Sequence, residues 1–333
     1  MHIKISDVAK LAGVSTATVS RVINGAANVD GILRGKVLKA MSDLEYVPNT
    51  MAQSLRQKRS KIIGITASDV EVSFFPRIIK EAEKALQPKG YAVFSASTFD
   101  QPENELKIIR QMLARRVDAL LVCSTGQNEE FLQEISNSGI PVILYDRRPK
   151  NNVFPTVFVN KKKAVYLALN HLTAAGHKRI MLISGPRSLM TNYDRYMGLQ
   201  KYVFEHNLDP ADVTAQFDSF SIEYGREAVQ KILAMPNRPT ALITGSVAIT
   251  AGVMMCLKEN NLVIPDDMAL VSSGTFTYPE IVEPRLTYID DSTHEIAVKL
   301  LELLYTLLDG KSLRPDMQIE IEPVLHVGSS SSR

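Results

Sequence analysis

The N-terminal part of the chain carries apolar stripes at helical spacing. Ile5, Val8, Ala9 and Ala12 recur at i, i+3, i+4 and i+7, and Val19, Val22 and Ile23 at i, i+3 and i+4, so each set lines one side of a helix. Gly13 stands between the stripes and can take the left-handed backbone at which one helix stops and the next turns. Ser15 is the expected N-cap of the second helix. Ala9 is small enough for a close crossing, and Val19 fills the angle, which is helix-turn-helix spacing; an ordinary helical hairpin needs fewer of these coincidences. A third helix is expected from about Ile32 to Asp43, with Asp30 as cap and Leu33, Val37, Leu38 and Met41 facing inward.

From Lys61 onward the period changes. Short apolar runs at 62–65, 91–96, 119–123 and 141–145 alternate with helical stretches near 75–88 and 102–116. A second cycle has strands at 156–159, 180–183, 241–244 and 268–271, with helices at 161–175, 194–206, 222–234 and 247–259. This alternation predicts an α/β body of parallel sheets covered by helices. A last helix is expected at 293–308.

Composition adds an asymmetry. The 333 residues, 45% apolar and 22% charged, suffice for two or three folding units with ample core. Residues 1–61 hold ten Lys or Arg against four Asp or Glu, a charge of +6, so with +2 overall the remainder is +2 − 6 = −4. A small basic unit joined to a mildly acidic body is what one nucleic-acid-binding end requires. Cys123 and Cys256 are far apart and lack close His or Cys partners, so both read as buried apolar residues, with no metal site or cofactor expected. The N-terminus has no apolar signal core and no long apolar run follows, so a cytoplasmic protein without membrane contact is expected.

The outward side of the second helix holds the candidate DNA chemistry. Arg21 offers paired donors that suit guanine, and the methyls of Thr16 and Ala17 can meet the thymine methyl. Ser15, Thr18, Ser20 and Asn24 carry short hydrogen-bonding groups suited to phosphate oxygens, which set register rather than sequence.

The run Asp7-Val-Ala-Lys-Leu-Ala-Gly-Val-Ser-Thr-Ala-Thr-Val-Ser-Arg-Val-Ile-Asn24 resembles the LacI/GalR family of bacterial transcription factors. The likeness continues through Glu45-Tyr-Val-Pro-Asn49 and Ala52-Gln-Ser-Leu-Arg56 and, more loosely, to the C-terminus. It implies that Thr16, Ala17 and Arg21 read bases. It also implies a hinge helix in the minor groove, with Asn49, Ala52, Gln53 and Arg56 around a wedging Leu55; composition alone would make this segment a solvated linker. The implied order is a helix-turn-helix domain at 1–47, a hinge at 48–60 and a two-lobed, periplasmic-binding-protein-like body at 61–333 with two parallel sheets. Lobe 1 would take about 61–159 and 292–318, and lobe 2 about 160–291 and 319–333, with the last crossing near Ile319.

The effector cleft would lie at the C-terminal ends of the strands. The resemblance places Arg195 at the effector-contacting arginine and Phe74 and Phe75 near the cleft mouth. Three places depart from the acidic family pattern: Asn160-Lys161, Ser246-Val247 and Gly274-Thr275. Lys161 beside Arg195, Arg147 and Arg187 would make the cleft more positive, with Ser246, Thr275 and the cleft-edge Asp291 completing it. The expected effector is therefore an anionic small molecule, such as a phosphorylated or acidic carbohydrate; the rival is a phosphocarrier-type protein corepressor.

No nucleophile elbow, phosphate loop or His-Glu-x-x-His motif occurs, so no enzymatic activity is expected. The expectation is a repressor acting as a homodimer on palindromic double-stranded operator DNA, since the chain ends without a leucine-heptad tail. A solute-binding sensor is the competitor from another class; the basic helical unit and the lack of a signal peptide weigh against it.

Overall fold

The computed structural model describes residues 3–23, 25–26, 28–46, 59–151 and 153–331. Asn24 and the hinge residues Asn49, Ala52, Gln53, Leu55 and Arg56 lie outside this set. Two compact units result, Met1–Ser60 and Lys61–Arg333.

The first unit holds α1 (Ile5–Ala12), α2 (Thr16–Ile23) and α3 (Gly31–Asp43). Gly13 ends α1 at φ +66°, and the Val14 amide donates back to the Ala9 carbonyl at 3.0 Å, so the left-handed residue closes the first helix and turns the chain. Val8, Ala9, Ala12, Val19, Val22, Val37 and Ala40 form the buried core, with Ile5, Ile23 and Met41 packed around it. Asp30 caps α3 through the amides of Ile32 and Leu33 at 2.9 and 3.2 Å. Leu33 and Leu38, expected inside, are 36% and 53% exposed. The inward stripe of α3 is Val37, Ala40, Met41 and Leu44, and Leu38 sits one residue, about 100° of helix, off it.

The second unit contains two six-stranded sheets. The first orders β11 (Gln318–Ile321), β5 (Thr156–Val159), β4 (Val142–Asp146), β3 (Ala119–Val122), β1 (Ile62–Ala67) and β2 (Ala92–Ser97), all parallel. The second orders β12 (Val324–His326), β10 (Thr287–Asp290), β9 (Ala269–Ser273), β8 (Ala241–Thr244), β6 (Ile180–Ser184) and β7 (Val213–Phe217); only β12 runs antiparallel. Helices α4 (Phe74–Leu86), α5 (Pro102–Ala114), α6 (Glu129–Asn137) and α11 (Thr293–Leu308) serve the first sheet. Helices α7 (Lys161–Ala174), α8 (Met190–Glu205), α9 (Ile222–Leu233) and α10 (Val247–Glu259) serve the second. Strand β7 and helix α6 were not anticipated from the pattern. Most of β7 is half-buried at a sheet edge, and α6 is short, nine residues that bury only Leu132 and Ile135.

The chain crosses between the lobes after β5, after β10 and after β11. The last crossing was expected near Ile319, but β11 runs to Ile321 beside β5, so it falls at 322–323. The crossings are joined to one another: the Asn160 amide donates to the Ile321 carbonyl at 3.0 Å, and the Ser292 hydroxyl to the Glu322 carbonyl at 3.3 Å. The polar Gly328–Ser331 segment is built into lobe 2 rather than solvated. Ser330 exchanges backbone hydrogen bonds with Leu270 and Arg285 at 2.7 and 3.0 Å, and Ser331 bonds Thr287 and His171. Cys123 and Cys256 are buried and free. Among the described residues no helix is long and apolar enough to cross a membrane.

Candidate nucleic-acid interface and effector cleft

On α2 the buried Val19 and Val22 turn Thr16, Ala17 and Arg21 to the exposed side together. Ser15 accepts the Thr18 amide at 3.1 Å, and the two hydroxyls lie 3.0 Å apart, so the cap that starts the helix also fixes the Ser15 and Thr18 side chains beside that face. Ser20 is half-buried on the same helix. Among the described residues Arg21 forms no ion pair, which leaves its guanidinium fork open to an acceptor.

In the second unit eight of the nine residues expected at the cleft line a single cavity, Arg187 being the one that does not. Phe74 and Phe75 open α4, Arg147 follows β4, Lys161 begins α7, Arg195 lies on α8, Ser246 caps α10, and Thr275 and Asp291 follow β9 and β10. Loops after parallel strands therefore bring side chains from both sheets to one place.

The charges there are arranged differently from the expectation. Lys161 Nζ is 2.7 Å from Asp291 Oδ2, so this lysine is already matched. Arg147 donates through Nη1 to Asp100 Oδ1 at 2.7 Å and to the Ser124 carbonyl at 3.3 Å, and its Nε lies 3.8 Å from Asp146. Burial opposes the Arg147 charge, but Asp100 and Asp146 hold the group firmly protonated; Cys123, whose own pKa burial raises, is a neutral thiol and adds nothing. Arg187 does not line the cavity and stacks instead on Tyr196, 3.8 Å from the ring centroid. Ser246 is taken by its cap, accepting the Ile249 amide at 3.2 Å.

Arg195 is the exception. It is 5% exposed and donates Nη1 to the amide oxygen of Asn192 at 2.7 Å, while its Nε has no partner among the described residues. Burial lowers its pKa, with Asp291 and Asp146 opposing from a distance. The Thr275 hydroxyl is likewise buried without a partner among the described residues. An unmatched buried donor is costly, so this corner is prepared for an acceptor.

Phe220, Asp146 and Tyr288 also line the cavity and had no signal in the sequence pattern, whereas Asp290, read with Asp291 as a cleft-edge pair, lines it as well. Phe220 is seated by Gly185: a Cβ there would meet its ring at 2.5–2.6 Å. Gly185-Pro186 after β6 was visible in the sequence; that it made room for a ring 35 residues later was not.

Residues 60–307 match the family described as periplasmic binding proteins and sugar binding domain of LacI family, and residues 4–49 match bacterial regulatory proteins, lacI family. Similar proteins include the HTH-type transcriptional repressor PurR of Mannheimia succiniciproducens, 31% identical over 98% of both chains. The HTH-type transcriptional regulator RegA of Clostridium saccharobutylicum is 30% identical over 97% of this chain and 98% of its own. The lac repressor dimer, solved on operator with an anti-inducer, superposes with a TM-score of 0.87 at 24% identity over the whole of both chains, which shows the shared fold. A helix-turn-helix unit followed by a two-lobed ligand-binding body defines a class of DNA-binding transcriptional regulator. The chain belongs to the LacI family.

Proposed function

We propose that this protein is a cytoplasmic repressor that binds a palindromic operator as a homodimer and is controlled by an anionic small molecule in the interlobe cleft. Thr16, Ala17 and Arg21 read bases; Ser15, Thr18, Ser20 and Asn24 hold phosphates. Asn49, Ala52, Gln53, Leu55 and Arg56 form the minor-groove hinge. One short recognition helix per chain reads too few base pairs alone, so a second copy supplies the other half-site.

The observation that carries the effector class is Arg195, a buried cation whose only hydrogen-bond partner among the described residues is a neutral amide and whose Nε is unmatched among them. A carboxylate or phosphate oxygen would satisfy it with charge-assisted bonds. Phe74, Phe75, Phe220 and Tyr288 offer apolar faces, and Asp146 and Asp290 accept from hydroxyls, which fits an acidic or phosphorylated carbohydrate.

The test is a thermal-shift panel of hexose phosphates, aldonic acids, uronic acids and neutral sugars on the full chain. One anion at about a hundredfold over its Kd should stabilise by about 2.7 kcal/mol, and Arg195→Met should abolish the shift. Equal stabilisation by a neutral sugar overturns the anionic class. No response to any compound turns the reading toward a protein corepressor.

A further inference from the structure

We infer that Arg148 and Asp194 form a latch that holds the two lobes closed and thereby sets operator affinity. The inference rests on the regulator reading for its second half only. Arg148 lies in the loop between β4 and β5, both strands of the first sheet, whereas Asp194 lies on α8, between two strands of the second.

The contact is a two-pronged fork. Arg148 Nε donates to Asp194 Oδ2 at 2.8 Å and Nη2 to Oδ1 at 2.7 Å. Such a planar match fixes orientation as well as distance. The Asp194 side chain is only 8% exposed and that of Arg148 26%, so water and salt screen the pair less than a surface pair. The chain crossings are tied by other bonds. Among the described residues this is the one ion pair that joins the bodies of the two lobes.

Its place links it to the cleft. Arg148 directly follows Arg147, and Asp194 directly precedes Arg195, so both partners are backbone neighbours of cavity-lining arginines from opposite lobes. Opening the cleft must pull the fork apart. Asp194 would then keep only Lys162, on its own lobe, 3.7 Å from Oδ1. A ligand that moves Arg147 or Arg195 therefore strains or relaxes the latch directly. Lys162 also supplies the control, because it touches the same carboxylate without spanning the lobes.

The experiment is single-molecule energy transfer between dyes placed at Gln111 on α5 and Lys231 on α9, both exposed and on different lobes. Labelled protomers are diluted into unlabelled protein so that each dimer carries one pair of dyes. Arg148→Gln and Asp194→Asn should each raise the ratio of open to closed molecules about tenfold, the factor that 1.4 kcal/mol carries. Lys162→Gln should leave it as in the wild type. Affinity for DNA selected from a random pool should change in the same sense in both latch variants. An unchanged distribution in Arg148→Gln, an equal shift in Lys162→Gln, or open lobes with unchanged DNA affinity overturns the latch. Failure of the wild type to select any DNA would count against the regulator reading instead, since lobe closure is measured without DNA.

Discussion

Lys161 and Asp291 meet at 2.7 Å across 130 residues of sequence, at the first turn after one interlobe crossing and the residue beside another. The pair lines the cleft while it joins two crossings. Its partners are unequally exposed, Lys161 at 4% and Asp291 at 21%. Asp291→Asn strands a buried ammonium and should cost about 1.5–3 kcal/mol. Lys161→Met should cost less, because Asp291 keeps access to water. Urea unfolding of the full chain, followed by circular dichroism, checks the order; a larger loss in Lys161→Met contradicts it.

Helices α9 and α10 approach through Gly225 and Gly252. A Cβ on Gly252 would run into the Ile222 carbonyl oxygen, and one on Gly225 into the Ile249 carbonyl oxygen. Alanine in place of a helical glycine ordinarily gains about 0.5–1 kcal/mol. Here the obstacle is backbone, which cannot step aside, so Gly252→Ala should lose about 1–3 kcal/mol. Gly35→Ala on α3 is the opposite case, since nothing lies within 4 Å of its added Cβ. It should stabilise the N-terminal unit by about 0.5–1 kcal/mol. Thermal unfolding of both variants gives the two signs.

Glu105 is fully buried, accepting from the Thr125 amide at 2.7 Å, the Thr125 hydroxyl at 3.2 Å and the Asn128 amide at 2.9 Å. Burial raises its pKa, and these donors, with the Arg147 charge, oppose the rise without cancelling it. A carboxyl raised in the folded state contributes stability below its unfolded pKa, and that contribution is lost as pH rises through the folded value. Relative to Glu105→Gln, the wild type should therefore gain stability as pH falls from about 7 to about 5. Urea titrations of both proteins at the two pH values measure this difference; a gain for the variant instead would contradict the sign.

Local signals were legible in the chain, and long-range pairings were not. Val8, Ala12, Val19 and Val22 share a core because helical period and the Gly13 stop act within a few residues. The alternation of strands and helices gave both sheets, because apolar runs mark strands buried on both faces. Strand β7 escaped because an edge strand needs less apolar surface. That Ser246 and Thr275 stand at the cleft was readable from their places after two strands. That Asp291 neutralises Lys161, and Asp100 neutralises Arg147, depended on tertiary pairing. The same limit hid Phe220 and the Arg148 fork.

The most direct measurement is selection of bound DNA from a random pool with the full chain and its Arg21→Ala variant. The wild type should enrich a palindrome, and the variant should lose about 1–3 kcal/mol of discrimination at one base pair in each half-site. Absence of any palindrome, or an equal loss by the variant on specific and random DNA, would contradict the account.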